Sequence, residues 1–543
     1  MHLSDCDGSD HLYEFPYAGL FRNYIHTYTP PRVADPPTPG VAAGRTADNL
    51  VFNDPLKLPP FKELSLEFIR SIFILACGEG VLAPSKDSSQ DSLRLTLQLV
   101  CKDWHRIVTG CPALWNDLDL RIMPRREQRS NDIGTVSLAD TDRCLHCARS
   151  WLSRAGDTLT SLRLLMFPCV EAEAAQHYER IIPFLSAYRF KSLAIRAPIL
   201  SLLDFPKPLD ASLAHVETLA LAAPSWAYPE TQLFTNRPPF SSLRSLSVTV
   251  DDRYTFENLL SAFPWHRLEQ VTLGTMKQQE LTAAVLRKCK SIVDCTIHIQ
   301  EYDEANILND IYLPRLRRLS IVSNIVGFSN DSLLTATIAP KLESLSISGL
   351  FGTSLFAHGA PRPLPAVSSF HDCLQKLVLR SFDGVVDLGR VLKLFPALRI
   401  VELFNATIDA DTACLLSRAA IGSFLRELRL SGCGRDLRPG ATLDMVGERQ
   451  RNARQNAPII KPFASVLLCF PSTQFGDMAA RYSKRVALLR DEYKFELALG
   501  EFQYIPDYGD EPEDGARLEV VDGDGESFAG LEASGGRRAI SPI

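Results

Sequence analysis

A short apolar pattern recurs along most of this chain and limits what it can fold into. Apolar side chains stand at the first, fourth and sixth positions of each copy, and polar or small residues commonly lie between them. Eleven copies follow at intervals of 24 to 32 residues: Leu159/Leu162/Leu164, Phe190/Leu193/Ile195, Val216/Leu219/Leu221, Leu243/Leu246/Val248, Leu268/Val271/Leu273, Ile292/Cys295/Ile297, Leu316/Leu319/Ile321, Leu342/Leu345/Ile347, Leu374/Leu377/Leu379, Leu398/Val401/Leu403 and Leu425/Leu428/Leu430. Such alternation is typical of a β-strand with one buried face. The pattern therefore predicts a strand in every copy.

The segments between the copies include stretches with helical character, at 253–263, 278–289 and 411–421. A strand followed by a helix at a period of about 25 residues is typical of leucine-rich repeats, in which each unit buries its apolar edge against its neighbours. The Asn or Cys that usually follows the third aliphatic position occurs clearly only as Asn324 and Cys433. We therefore expect an irregular leucine-rich-repeat solenoid, a horseshoe, over residues 158–434.

Two apolar segments with helical spacing, 63–77 and 93–108, precede the repeats. Neither short helix can bury so broad an apolar face alone. We predict a small all-α module over 55–121, which makes the whole chain α/β in class. Residues 1–54, rich in Pro, Gly, Thr and Asp, are expected to be a disordered leader. A linker at 122–157 should contain a helix at 140–155.

The module resembles the F-box-like domains common in fungal proteins. LSLEFIRSIFILAC (64–77), LVCKDW (99–104) and CPALWNDL (111–118) match the three motifs of that family. The following WLSRAGDTLTSLRL (151–164) resembles the stretch that joins such domains to their repeats. The sequence departs from the family at Leu64-Ser65-Leu66, where Leu-Pro-Pro is expected, although a Leu-Pro-Pro occurs upstream at 58–60.

F-box domains of this family dock onto a Skp-type adaptor that links them to a cullin–RING ubiquitin ligase. The resemblance implies that this chain is the substrate-recognition subunit of such a ligase, with its repeats binding a target protein. It also implies a set of adaptor contacts: Leu58, Pro59, Leu64, Phe68, Ile69, Ile72, Phe73, Leu99, Val100, Cys101 and Trp104. An apolar patch with an aromatic anchor suits such a contact. Alternatively, these residues form the core between the module and the first repeat, and the chain is a leucine-rich-repeat scaffold without a ubiquitin-ligase role.

The position between the second and third apolar residues of each copy should lie on the exposed face of the strands. It is occupied by Arg163, Ala194, Ala220, Ser247, Thr272, Thr296, Ser320, Ser346, Val378, Glu402 and Arg429. Small neutral residues dominate the middle of this series, and larger or charged ones lie near its C-terminal end. We expect a protein target to contact Arg380, Phe404 and Arg429, unless this face is purely structural.

The repeat pattern ends at residue 434. We interpret 435–460 as a loop and 457–470 as a final strand. The predicted helix at 478–499 carries one apolar stripe, Tyr482, Val486, Leu489, Tyr493 and Leu497. Residues 435–500 would then cap the exposed core of the last repeat. Residues 501–543 contain eleven Asp or Glu against three Arg, and we expect this acidic tail to be disordered.

Composition and motifs exclude several other classes of function. The net charge of −6 argues against nucleic acid or an anionic membrane as a partner. Thirteen scattered cysteines and an N-terminus unlike a secretory signal favour a protein with reduced thiols, in the cytoplasm or nucleus. Cys144, His146 and Cys147 have metal-like spacing but lack a second pair at finger distance. We therefore expect no enzyme activity, cofactor or metal site.

Overall fold

The structure, a computed structural model, describes most of the chain between residues 64 and 502. The residues within this range that it does not describe are 78–79, 83–91, 123–135, 157, 159, 167–170, 198–209, 224–239, 251–262, 277–278, 300–309, 329–330, 352–368, 383–385, 405, 432–437 and 457–459. The predicted leader, the acidic tail beyond Phe502, Cys433 and the predicted helix at 253–263, apart from its last residue, lie outside the described residues.

Fifteen strands of the described residues form a single all-parallel sheet in chain order. Four short strands pair separately, β9 with β11 and β14 with β16. The strands are β1 Gly80–Leu82, β2 Asp117–Ile122, β3 Thr160–Met166, β4 Phe190–Arg196, β5 Thr218–Ala223, β6 Ser245–Val250, β7 Gln270–Met276, β8 Asp294–Ile299, β9 Ile311–Tyr312, β10 Arg318–Phe328, β11 Thr337–Ile338, β12 Ser344–Phe351, β13 Lys376–Phe382, β14 Val386–Asp387, β15 Ile400–Phe404, β16 Ala406–Thr407, β17 Glu427–Ser431, β18 Ser465–Pro471 and β19 Glu496–Phe502.

Parallel neighbours require a crossover connection, and helices occupy many of these connections. The helices are α1 Leu66–Cys77, α2 Ser92–Val100, α3 Lys102–Thr109, α4 Leu138–Ala155, α5 Glu171–Ser186, α6 Asp210–Leu213, α7 Gln279–Lys288, α8 Asp331–Ala336, α9 Leu388–Leu394, α10 Ala410–Ser417, α11 Pro439–Gln455 and α12 Ser472–Tyr493. Their apolar residues, such as Leu145 in α4, Val285 in α7 and Val391 in α9, join one hydrophobic core with the strands.

All eleven predicted strands are confirmed. The second and third apolar residues of each copy are almost all buried, as Leu162 and Leu164 are in β3, and each such side chain contributes about 1.5–3 kcal/mol of burial free energy. The intervening residues lie on the opposite side of the sheet, which we call the polar face. Hydrogen-bonded register places the predicted face residues from Arg163 to Arg429 in one row across neighbouring strands.

The expected division into a small all-α module and a separate horseshoe is wrong, although the α/β class is compatible with the structure. The N-terminal segment contributes β1 and β2 to the same sheet, and β2 pairs with β3 over its full length. The reason is visible in DLDLRI: Leu118, Leu120 and Ile122 alternate and are buried, so they cover the edge that β3 would otherwise expose. The strands of the N-terminal segment and those of the repeats thus belong to one continuous parallel sheet.

Several predicted boundaries also change. The helix expected at 140–155 is α4, which begins two residues earlier, after the N-cap Ser137, and ends at Ala155 as expected, with Gly156 as its C-cap. The predicted final strand is confirmed as β18, but β19 follows it, so β18 is not the last. Much of the loop expected at 435–460 is in fact helix α11.

The helix predicted at 478–499 begins earlier and ends earlier, as α12. Lys494 adopts a left-handed conformation with φ of 54° and ends the helix, so Leu497 lies in β19 and not on the helical stripe. Tyr482, Val486 and Leu489 remain on α12 and pack against the core. The chain therefore closes the C-terminal end of the sheet with a strand as well as with helices.

Candidate functional site

Helix α1 has a wider apolar face than the described part of the chain covers. Ile69 and Phe73, four residues apart, are buried against the core. Phe68, Ile72 and Leu75 form the adjacent stripe and are exposed, with 54% of Phe68 and 84% of Leu75 accessible to solvent. Because positions i, i+4 and i+7 share one side of a helix, these three side chains point the same way. Large apolar side chains on one exposed stripe are characteristic of a contact with another molecule.

The second predicted helix is two helices, separated at Cys101. The Sγ atom of Cys101 accepts a hydrogen bond from the backbone N–H of Trp104 at 3.4 Å and so caps α3. This break leaves Leu99 and Val100 at the end of α2, where 84% of Leu99 and 54% of Val100 are exposed. Both α1 and α2 therefore present uncovered aliphatic residues.

Aromatic and arginine contacts fix these helices to the rest of the fold. The rings of Phe73 and Trp104 lie 4.9 Å apart and join α1 to α3. The Nε1 atom of Trp115 donates to the carbonyl of Val108 at 2.8 Å, and its ring packs 4.8 Å from Trp151 of α4. The buried Arg94 of α2 donates from Nε to the carbonyl of Leu114 at 3.1 Å. The exposed residues are thus held on a well-packed support.

The residues expected to contact the adaptor occupy three different environments. Phe68, Ile72, Leu99, Val100 and Cys101 are exposed, Leu64 and Trp104 are partly buried, and Ile69 and Phe73 are buried. Leu58 and Pro59 lie outside the described residues. Ile69 and Phe73 form the core beneath the surface, where α1 packs against α3 and the turn at Pro112–Leu114. Leu66, Ile74 and Leu75, which are not among the expected contacts, are also exposed. Helical periodicity alone does not tell which of two adjacent apolar stripes is covered.

The structure brings together the three predicted target contacts at the C-terminal part of the polar face. Arg380, Phe404 and Arg429 lie on β13, β15 and β17, which are neighbours in the sheet. The Nε atom of Arg380 donates to Oε1 of Glu402 at 2.8 Å, and Nη2 of Arg429 lies 3.9 Å from Oε2 of Glu427. Since acidic residues of the chain itself already pair with both arginines, this part of the face carries little excess charge.

A different charged cluster, which the sequence analysis did not find, lies at the other end of the polar face. Asp119 and Arg121 of β2, Arg163 of β3 and Arg196 of β4 line a cleft of about 80 Å³. Only Arg163 belonged to the predicted face. The other three were missed because β2 was not recognised as a strand and because Arg196 lies two residues beyond the position chosen in each copy. Trp115, Leu118 and Leu120 do fit the first, fourth and sixth positions of the repeat, and this signal could have found β2.

Two of the described thiols, those of Cys144 and Cys289, are buried in the fold. Burial raises the pKa of the Cys144 thiol to about 11 and that of Cys289 to about 12. Both thiols therefore stay protonated at neutral pH. His146 and Cys147 are exposed, and among the described residues no group of three or more His, Cys, Asp or Glu side chains could hold a metal ion. Within the same residues, no helix combines the length and apolar composition needed to cross a membrane.

No protein-family model matches the chain, and no curated protein matches it in sequence. The likeness of the N-terminal segment to F-box domains therefore rests on its own residues.

Proposed function

We propose that the chain is the substrate-recognition subunit of a cullin–RING ubiquitin ligase of the SCF type, acting in the cytoplasm or nucleus. In this proposal the residues exposed on α1 and α2 bind a Skp-type adaptor, and the polar face of the sheet binds a target protein. The chain itself would contribute no catalytic step, because ubiquitin transfer belongs to other subunits of such ligases.

The observation that carries this proposal is the uncovered apolar surface of the N-terminal helices. We call the exposed residues Leu66, Phe68, Ile72, Ile74, Leu75, Leu99 and Val100 the N-terminal apolar surface. Interfaces draw most of their free energy from a few well-buried apolar anchors, and aliphatic or aromatic side chains left in water favour association. The motifs that resemble the F-box family, LSLEFIRSIFILAC and LVCKDW, contain every residue of this surface.

The support beneath this surface adds to the proposal. A docking surface needs side chains whose positions are already fixed, since ordering them on binding costs free energy. Here the Phe73–Trp104 contact and the Trp115–Trp151 contact hold α1 and α3 against α4. The departure at Leu64-Ser65-Leu66 alters only the edge of the first motif: Ser65 accepts a hydrogen bond on Oγ from the backbone N–H of Phe68 at 3.3 Å. This contact supports the first turn of α1 where the family has Leu-Pro-Pro.

The test is direct binding of the full chain to the Skp-type adaptor of the same organism, measured by biolayer interferometry. We expect the double variant Leu75→Asp/Leu99→Asp to weaken binding by about 700-fold, because central apolar anchors contribute about 2 kcal/mol each. The matched control is Leu488→Asp, which charges an exposed leucine on α12 at the other end of the sheet.

The control variant should bind like the unmodified protein. Failure of the intact chain to bind the adaptor would overturn the proposal and favour an interaction scaffold without a ubiquitin-ligase role. Equal weakening by Leu488→Asp would instead show that the effect is not specific to the N-terminal apolar surface, and would also contradict the proposal.

A further inference from the structure

The first strands of the sheet bring four charged side chains together on the polar face. Register pairs Asp119 with Arg163 across β2 and β3, and Leu165 with Arg196 across β3 and β4. Arg121 lies two residues after Asp119 and therefore on the same face. These side chains line the cleft, whose floor includes the small residues Ala194, Ala220 and Ala222. The small floor residues leave space between the arginines.

Asp119 is the most informative group in this cleft, because only 3% of its side chain is exposed. Its Oδ2 atom accepts hydrogen bonds from Nε and Nη2 of Arg121 at 3.1 and 2.8 Å, and Nη1 of Arg163 lies 3.6 Å away. Its Oδ1 atom is buried and has no hydrogen-bond partner. A buried acceptor without a partner costs free energy, so a ligand that donates a hydrogen bond here would be favoured.

The charged side chains that line the cleft indicate that its ligand also carries an anionic group. Among the described residues that line the cleft, three carry a guanidinium group and one carries a carboxylate, in a chain whose net charge is −6. Burial lowers the pKa of Arg196, so its positive charge lies in surroundings where a nearby anion would be stabilising. Guanidinium groups bind carboxylates and phosphates through paired hydrogen bonds, which makes such anions the natural ligands of this cluster.

The size of the cleft shows what kind of molecule can carry that anion. Pockets that enclose whole small ligands typically hold about 300–1,000 Å³, whereas this cleft holds about 80 Å³. It can therefore accept one functional group of a larger molecule that extends along the open face. In a polypeptide, a backbone N–H next to an anionic side chain supplies a hydrogen-bond donor as well.

We propose that this cleft binds the anionic side chain of a target polypeptide, a carboxylate or a phosphate monoester, with Asp119 accepting a hydrogen bond from an adjacent N–H of the same polypeptide. The anionic character of the ligand is inferred from the side chains of the cleft. Only the assignment of that ligand to a target of a ubiquitin ligase rests on the function proposed above. The site lies on the first strands, in contrast to the expected contacts at Arg380, Phe404 and Arg429.

The experiment uses the immobilised full chain and three pools of random heptapeptides whose central residue is phosphoserine, glutamate or glutamine. We expect the phosphoserine pool, the glutamate pool or both to be retained above the glutamine pool, and retention to fall with added salt because the attraction is electrostatic. Retention of the phosphoserine pool alone identifies a phosphate ligand, and retention of both identifies a general anion site.

Substitutions assign the binding to the cleft. Arg196→Gln should weaken retention by about tenfold, since it removes one charge-assisted contact. Ala222→Glu, which places a carboxylate inside the cleft, should abolish it. The matched control is Arg318→Gln on the same face, where Nη2 of Arg318 pairs with Oδ2 of Asp294 at 2.7 Å outside the cleft. This control should retain the peptides fully.

Equal retention of the three pools, or retention unchanged by Ala222→Glu in a folded variant, would overturn the inference. Circular dichroism and urea denaturation verify that each variant is folded, and adaptor binding, measured separately on the same variants, keeps the two proposals apart. A chain that retains anionic peptides but does not bind the adaptor would overturn the ligase role alone. If the chain binds the adaptor but retains the three peptide pools equally, only the proposed anion site is overturned.

Discussion

The two ends of the sheet differ in how they use their helices. At the C-terminal end, α11 buries Leu443 and Val446 together with the polar residues Arg449 and Gln450. At the N-terminal end, the apolar side chains of Leu75 in α1 and Leu99 in α2 are largely exposed to solvent. Helix α11 thus packs even polar side chains inside the fold, whereas α1 and α2 leave several large apolar side chains exposed to solvent. In the function proposed above, this exposure is what leaves the N-terminal helices able to bind another chain.

Replacing Arg449 tests this contrast most strongly, because its side chain is fully buried and donates hydrogen bonds to backbone carbonyls of neighbouring segments. It donates from Nη1 to the carbonyl of Leu416 at 3.0 Å and from Nη2 to that of Gly422 at 2.8 Å, and its guanidinium lies 4.7 Å from the ring centroid of Phe463. We expect Arg449→Met to lower the free energy of unfolding by about 3–5 kcal/mol, because several buried carbonyls lose their donors together. Urea denaturation measures this loss.

Arg490→Met on α12 is the control, since the Arg490 side chain is exposed and should change stability by less than about 0.5 kcal/mol. A loss below about 1 kcal/mol in Arg449→Met would contradict the view that α11 is an integral part of the core. The variant should still bind the adaptor when folded, since its effect lies at the opposite end of the sheet.

The middle of the sheet supplies a second comparison, through His298 on β8. Burial lowers the pKa of His298 to about 4, whereas an unfolded chain would protonate it near its ordinary value of 6.5. Below pH 6.5 the unfolded state therefore binds a proton that the folded state does not. We expect the free energy of unfolding to fall by up to about 3 kcal/mol between pH 6.5 and pH 4 on this account.

The measurement is urea denaturation of the protein and of His298→Asn across this pH range, with His266→Asn as the exposed control. His298→Asn should lack this part of the pH dependence, and His266→Asn should keep it. Identical pH profiles for the protein and for His298→Asn would show that His298 is not the source.

The strands were predictable because their signal is local. Alternating residues such as Leu345 and Ile347 reveal both the strand and its buried face. Helix α11 was not predictable in the same way. Part of its buried face consists of Arg449, Gln450 and Gly447, which resemble a loop in sequence. Their partners, the carbonyls of residues such as Leu416 and Phe463, are brought close only by the fold.

The candidate sites show the same limit. The apolar character of α1 was clear from its sequence, but the exposed stripe at Phe68 and Ile72 and the buried stripe at Ile69 and Phe73 differ by one position along the helix. Only the packing of α3 decides between them. The arginine cleft depends on the register of three strands, which no spacing within one strand can give.

The smallest expected effect distinguishes a surface built for binding from one built for packing. Leu75→Ser and Leu99→Ser should change the free energy of unfolding by less than about 0.5 kcal/mol, because both side chains already lie in water. Phe73→Ala, two residues from Leu75 but buried, should lower it by about 3–5 kcal/mol. Thermal and urea denaturation of the three variants measure the difference. A loss in Leu75→Ser similar to that in Phe73→Ala would mean that α1 is covered by its own chain, and the contrast between the two ends would fail.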